Sequence, residues 1–444
     1  MTLIDKIKKE FNNSSDLIIK ELNHIHVIYL ESICDSDKVN FYILQNISLT
    51  KSKSKIISGP NTTIITKFND IIFYIVNGFA IVIYDKIYAV ETRGNIFRGI
   101  SNPDVEISIN GPKDSFNENI QVNLGLIKGR IKSENLVNED YFLGSITKTK
   151  ISILYLKNKV DNKDLKKLKN KINRILNKDV LSHGDLKQYL NQNKKLMPTI
   201  LETQRPDHAS LSLLQNKIVI LVDNSPFCLI LPSYLSDFIN PIDDNYQKSS
   251  SINFIKVLRF FCFIFTIFAP SLYISLINYN NEIIPLNLLI NLSIQNDLVP
   301  FPTYVEAIIM LIICAILRES DLRFPSSYGS SISIVGALIL GEAAVSAGLI
   351  SPIMIIIISF TFITSLIFAD QELVNALRVY RFIFLLISIF LGIYGLFLCL
   401  IIFLISLSNI NILDKSYLYP ITPYSKKYLF KTLLKEKKIW KKYF

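Results

Sequence analysis

The stretch FIFLLISIFLGIYGLFLCLIIFLISL (382–407) runs 26 residues without one charged side chain. A helix needs about 20 apolar residues to span a bilayer, so this segment reads as a membrane span and the chain as a membrane protein. Working outward, Phe260 to Leu377 contains no lysine and only ten charged residues. The whole chain of 444 residues is 50% hydrophobic and 19% charged, against roughly 25% charged in an average globular protein. The deficit lies in the second half, because the first 250 or so residues have ordinary globular composition. A wholly soluble protein, a disordered chain and a collagen-like repeat are excluded.

Five apolar segments can be drawn: Ile252–Leu276, Tyr304–Leu317, Ile332–Leu349, Pro352–Phe368 and Phe382–Leu407. The first and last are long enough to span; Pro270 predicts a kink in the first. The start MTLIDKIKKEFNN has no secretory apolar core, so the first half is expected to stay cytoplasmic. From Ile412 on there are nine lysines against Asp414 and Glu436, most of the formal charge of +11. That basic tail reads as a cytoplasmic anchor to anionic lipid, and no module for reading nucleic acid accompanies it. Both ends on one side require an even number of crossings. About four spans are therefore expected within 252–410, with one middle segment broken, re-entrant or interfacial, where protein or water shields its backbone. Leu286–Leu298, with Asn287, Asn291, Gln295 and Asp297 among leucines, reads as a surface amphipathic helix.

The segment SISIVGALILGEAAVSAGLISP (331–352) carries the candidate site. Ser333, Ala337, Gly341, Ala344 and Gly348 fall on one narrow helical face, and small residues let helices approach closely in lipid. That face packs either within the chain or against other copies. Beside it stands Glu342, and Glu306 sits in the preceding apolar segment. A carboxylate at such depth needs a partner, water or a pore. Both are read either as structural hydrogen-bonding groups or as the lining of a cation path.

The first half repeats one plan of strand, helices and hairpin. HVIYLE (26–31), DSDKVNFYILQNI (35–47), FAIVIY (79–84) and IYAVE (87–91) form the first copy. ISILYLK (151–157), DLKKLKNKINRIL (164–176), a helix opened by Pro206-Asp207, KIVILV (217–222) and FCLIL (227–231) form the second. A strand VEISIN (105–110) and a helix around 116–132 lie between them. The expected organisation is an α/β cytoplasmic region of two similar subdomains (1–140 and 141–242), a polar linker DDNYQKSSS (243–251), a helical polytopic membrane domain (252–410) and a basic cytoplasmic tail (411–444). No Gly-rich nucleotide loop, nucleophile elbow, CxxC pair or histidine cluster occurs, so neither an enzyme nor a cofactor nor a metal is expected. Cys34, Cys228, Cys262, Cys314 and Cys399 are far apart, and no disulfide framework follows from them.

Several blocks carry a resemblance: VPFPTYVEAIIM (299–310), ILRESDLRFP (316–325), SIVGALILGEAAVSAGLISPIM (333–354) and TQRPDHASLSLLQNKIVILVDNSPFCLILP (203–232), with shorter echoes at ETRG (91–94), NGPKDSF (110–116) and YLYPITPY (417–424). In this order the chain resembles the A subunit of the GerA family of spore germinant receptors, a pattern that the SpoVAF-type paralogue shares. The resemblance implies a place in the spore inner membrane beside a transporter-like B subunit and a lipoprotein C subunit. It also implies oligomers of A subunits that form a nutrient-gated ion channel; a non-conducting scaffold coupled to a separate channel is the alternative. The chain departs from the family in having Glu342 where Gln is common and Ser346 where an acid is common. Leu311 and Cys314 stand where further acids are frequent. Gln204 replaces an acid before Arg205, which removes an expected local ion pair.

Overall fold

The computed structural model describes residues 3–22, 24–49, 62–94, 106, 108–191, 196–323, 341–413 and 415–424. They fall into two compact units, one built mainly from residues before Tyr234 and one mainly from residues after it.

The first unit holds two five-stranded sheets. Strands β1 (Leu17–Leu22), β2 (Ile25–Leu30), β3 (Thr62–Ile65), β4 (Phe79–Ile83) and β5 (Ile87–Glu91) lie in the order β1-β2-β4-β5-β3. Strands β6 (Leu136–Leu143), β7 (Thr149–Leu156), β8 (Leu201–Thr203), β9 (Ile218–Val222) and β10 (Cys228–Leu231) lie in the order β6-β7-β9-β10-β8. Counted from the first strand of each sheet the two orders are identical, and every pair is antiparallel. The repeated plan of the sequence is therefore a repeated topology.

In the first copy the helices are α1 (Leu3–Glu10), α2 (Ser36–Val39), α3 (Gln45–Leu49) and α4 (Phe68–Val76). Alternation along the strands splits the core in two. Ile28, Leu30 and Ile81 face Ile7 of α1 and Ile71 and Ile75 of α4, whereas Val27, Tyr29 and Val82 face Val39 and Ile47 on the other side. Side chains of this size contribute about 1.5–3 kcal/mol each on full burial, so both faces of the sheet are held. Asp35 opens α2 by accepting from the Asp37 and Lys38 N–H groups, which satisfies donors that a first helical turn leaves unpaired.

The second copy has α5 (Ile120–Arg130), α6 (Asn162–Arg174), α7 (His183–Leu190) and α8 (Pro206–Leu214). Its sheet begins at Leu136, ahead of the boundary expected at 140, because β6 pairs along its whole length with β7. The two copies are tied by Asp16, whose carboxylate accepts from the Ser32 N–H at 2.9 Å and from the Lys128 ammonium of α5. Both Asp16 and Lys128 are buried.

Two expectations change here. The stretch VEISIN falls partly outside the described residues, and its described members, Glu106 and 108–110, form no strand. Ile109 is 73% exposed, and the Gly111 N–H turns back onto the Ser108 hydroxyl. Arg205 also has its ion pair, two residues downstream instead of one upstream. Its Nε and Nη2 reach the Asp207 carboxylate at 3.1 and 2.8 Å, with both residues buried. Asp207 sits in the first turn of α8, where the helix dipole also favours a carboxylate.

The second unit is helical: α9 (Leu235–Ile239), α10 (Ser249–Tyr279), α11 (Leu286–Asp297), α12 (Thr303–Arg323), α13 (residues 341–346), α14 (Pro352–Ser365) and α15 (Gln371–Ser408). Among the described residues two helical stretches, Ser251–Tyr279 and Gln371–Ser408, are long and apolar enough to cross a membrane. α14, at 14 residues, rises only about 21 Å, short of a hydrocarbon core of about 30 Å. The polar stretch 243–251 is folded: residues Ile242–Tyr246 form a 3-10 turn, and Asp244 takes both Arg259 amino groups at 2.6 and 3.1 Å.

Each long helix carries one identifiable irregularity in its hydrogen-bond ladder. Pro270 lies inside α10 and has no N–H for the carbonyl four residues earlier, that of Thr266. Arg381 of α15 supplies the missing donor, its Nε lying 2.6 Å from the Thr266 oxygen. In α15 the backbone leaves helical geometry at Gly392 (φ 57°, ψ −144°). The Tyr279 hydroxyl donates to the Ile389 carbonyl beside that break.

Candidate polar site among the apolar helices

α13 ends in a Schellman motif. The Leu349 N–H returns to the Ala344 carbonyl at 3.0 Å, the Gly348 N–H returns to Val345 at 2.9 Å, and Gly348 itself has φ +64°. This is the usual hydrogen-bonding pattern of a left-handed helix end. Three residues on, Ser351 stands at the N-terminal boundary of α14 without a side-chain capping bond, and Pro352 occupies the first turn. Within 341–365 the backbone thus runs helix, turn, helix, not one continuous helix.

The end of the turn, Ile350 and Ser351, is buried among apolar helices and needs partners for its backbone. Glu306, in the first turn of α12, supplies one: its Oε2 accepts from the Ser351 N–H at 2.7 Å, and the whole residue is buried. Its other oxygen, Oε1, has no hydrogen-bond partner, and neither do the buried Tyr273 hydroxyl and Ser351 Oγ. Tyr273 packs in one cluster with Met354 and with Ala307 and Ile350, the immediate neighbours of Glu306 and Ser351. Nearby, the Thr303 hydroxyl lies 3.0 Å from the Asn278 side-chain oxygen. The donor set is all oxygen: one carboxyl group and hydroxyls in an apolar wall. Such a set can hold a proton, a water or a weakly bound alkali cation, whereas zinc sites use nitrogen and sulfur.

Glu342 is elsewhere. It is exposed on α13 along with Ala343, Ser346 and Ala347, while Gly341 is buried and Ala344 and Gly348 are half-buried. A Cβ on Gly341 would meet Ile355 at 3.9 Å, and one on Gly348 would meet the Leu298 carbonyl at 3.7 Å. The described part of the small-residue face therefore turns into its own chain. Ser333 and Ala337 lie outside the described residues. The structure does not bring Glu306 and Glu342 into one cluster. Sequence reasoning identified both acids but missed Ser351 and Tyr273, although Ser-Pro after Gly-Leu-Ile signals a helix end and a new start.

The model of the Bacillus/Clostridium GerA spore germination protein family matches residues 5–443. The chain belongs to the GerA family. Among its relatives, spore germination protein KA of Bacillus subtilis is 32% identical over 95% of this chain and 81% of its own length. Spore germination protein GerLA of Bacillus cereus is 29% identical over 95% of this chain and 90% of its own length. The solved N-terminal domain of the A subunit of the Bacillus megaterium germinant receptor GerK3 aligns with 52% of this chain and 94% of its own, at 24% identity and a TM-score of 0.39. Membership carries a role in spore germination and no known enzymatic class.

Proposed function

We propose that this chain is the A subunit of a nutrient germinant receptor in the spore inner membrane, working with a transporter-like B subunit and a lipoprotein C subunit. Its A subunits assemble around the α13 segment into a ligand-gated cation channel. The observation that carries the proposal is the exposed strip of Glu342, Ala343, Ser346 and Ala347. A carboxylate turned to lipid in mid-membrane costs about 3 kcal/mol; turned to a water-filled axis between copies, it is solvated, and its small neighbours allow close approach. In this reading Ser251–Tyr279 and Gln371–Ser408 cross the membrane, the broken 341–365 region reaches into it without crossing as one straight helix, and both chain ends are cytoplasmic.

The test is nutrient-triggered potassium release from spores carrying Glu342→Ala, with Ala343→Cys cross-linking in the same membranes. A channel role requires altered release from the first variant and disulfide-linked copies from the second. Unchanged release with no cross-link overturns it and favours a non-conducting scaffold.

A further inference from the structure

Arg378 and Arg381 stand three residues apart on α15 and so share one face of it. With Arg318 of α12 they line a cavity of about 20 Å³, walled otherwise by Ser365, Cys314 and apolar side chains such as Leu311 and Phe362. Arg318 is engaged with Gln371, whose side-chain oxygen lies 3.3 Å away. The other two are in a different position. Arg381 is 6% exposed, and its hydrogen bond runs from Nε to the Thr266 carbonyl, with none from its terminal nitrogens. Arg378 is half-buried beside it and forms no hydrogen bond or ion pair among the described residues.

Two guanidinium groups converging on one small cavity repel each other, and burying even one without a counter-charge is costly. Arginine remains protonated in proteins, so neutralisation by proton loss is closed to it. A negative charge in the cavity resolves both costs. Size then selects among anions. One water needs roughly 10–15 Å³ of such space, so the cavity accommodates a body of one to two waters, and a tetrahedral oxyanion with its four oxygens is too large. We propose that this cavity binds a single small monatomic anion of the halide class, chloride in the cell. Held there, the ion joins the α12 and α15 arginines at the point where Arg381 also repairs the Pro270 gap in α10. This site is independent of Glu306, Glu342 and cation conduction.

The experiment uses the full chain in detergent, its melting temperature followed as chloride replaces gluconate at constant ionic strength, with bound radiolabelled chloride counted in parallel. Wild type should show a saturable rise in melting temperature and about one bound chloride per chain. Bromide should reproduce the rise; phosphate and sulfate should not. Arg378→Gln, which leaves the Arg381–Thr266 contact in place, should lower chloride affinity at least tenfold, and Arg378→Lys should lose less. Absence of bound radiolabelled chloride in wild type overturns the proposal without recourse to any variant. An equal response to phosphate, or an Arg378→Gln chain with undiminished chloride binding, overturns it as well.

Discussion

Glu306 offers a test in which charge and structure separate. In Glu306→Ala the Ser351 N–H, now 2.7 Å from Oε2, is left buried without an acceptor, a loss of about 1–3 kcal/mol. The methylene burial lost with the side chain adds about 1 kcal/mol. For a unit of this size each kcal/mol moves the melting temperature by roughly 2–4 °C, so the full chain in detergent should melt on the order of 5–15 °C lower. Glu306→Gln keeps an amide oxygen for the same N–H and should remain within about 1 kcal/mol of wild type. If Glu306 also serves ion passage, spores with Glu306→Gln should release potassium more slowly on nutrient addition despite a normally folded receptor. Two results would refute the reasoning: a Glu306→Ala chain melting within about 2 °C of wild type, or a Gln variant falling as far as the Ala variant.

Asp16→Asn leaves the Lys128 ammonium buried without its carboxylate, and full-chain unfolding should show a loss of about 3–5 kcal/mol that Lys128→Met on the same background partly restores. Gly392→Ala forces a side chain into φ 57°, with its Cβ 2.9 Å from Tyr279 Cγ; a loss of at least about 1–3 kcal/mol is expected in the same melt. The Ile146 and Thr147 N–H groups hold the Asp179 carboxyl below its ordinary value. Its stabilisation is therefore present above the unfolded value of about 3.9 and is lost as pH falls through the lower folded value. Acid titration of the wild-type melt should accordingly be steeper than that of Asp179→Asn, and equal slopes would remove Asp179 from the account.

The strands legible in the sequence were β2, β4, β5, β7, β9 and β10, and each lies inside its sheet. The four that escaped, β1, β3, β6 and β8, are the four edges. A central strand is covered on both faces and reads as an apolar run: all five residues of β9 are buried. An edge strand needs fewer apolar residues and more charge, so β6, with Asn138, Glu139 and Asp140 in its middle, looks like a loop. VEISIN had the alternation of a strand, yet its described residues join neither sheet.

Sequence alone determined the division into a half of ordinary globular composition and an apolar half, the repeated plan and the two long apolar helices, because hydrophobic patterning is a local property that burial or lipid enforces residue by residue. It also marked Glu306 and Glu342, since a carboxylate in an apolar run is anomalous wherever it folds. Only the tertiary structure decided what the buried polar groups meet: Glu306 on the Ser351 N–H 45 residues away, and Arg381 on a carbonyl freed by Pro270 115 residues away. Hydrogen bonds are short and directional, and chain segments this far apart carry no local signal of which donor will come to face which acceptor.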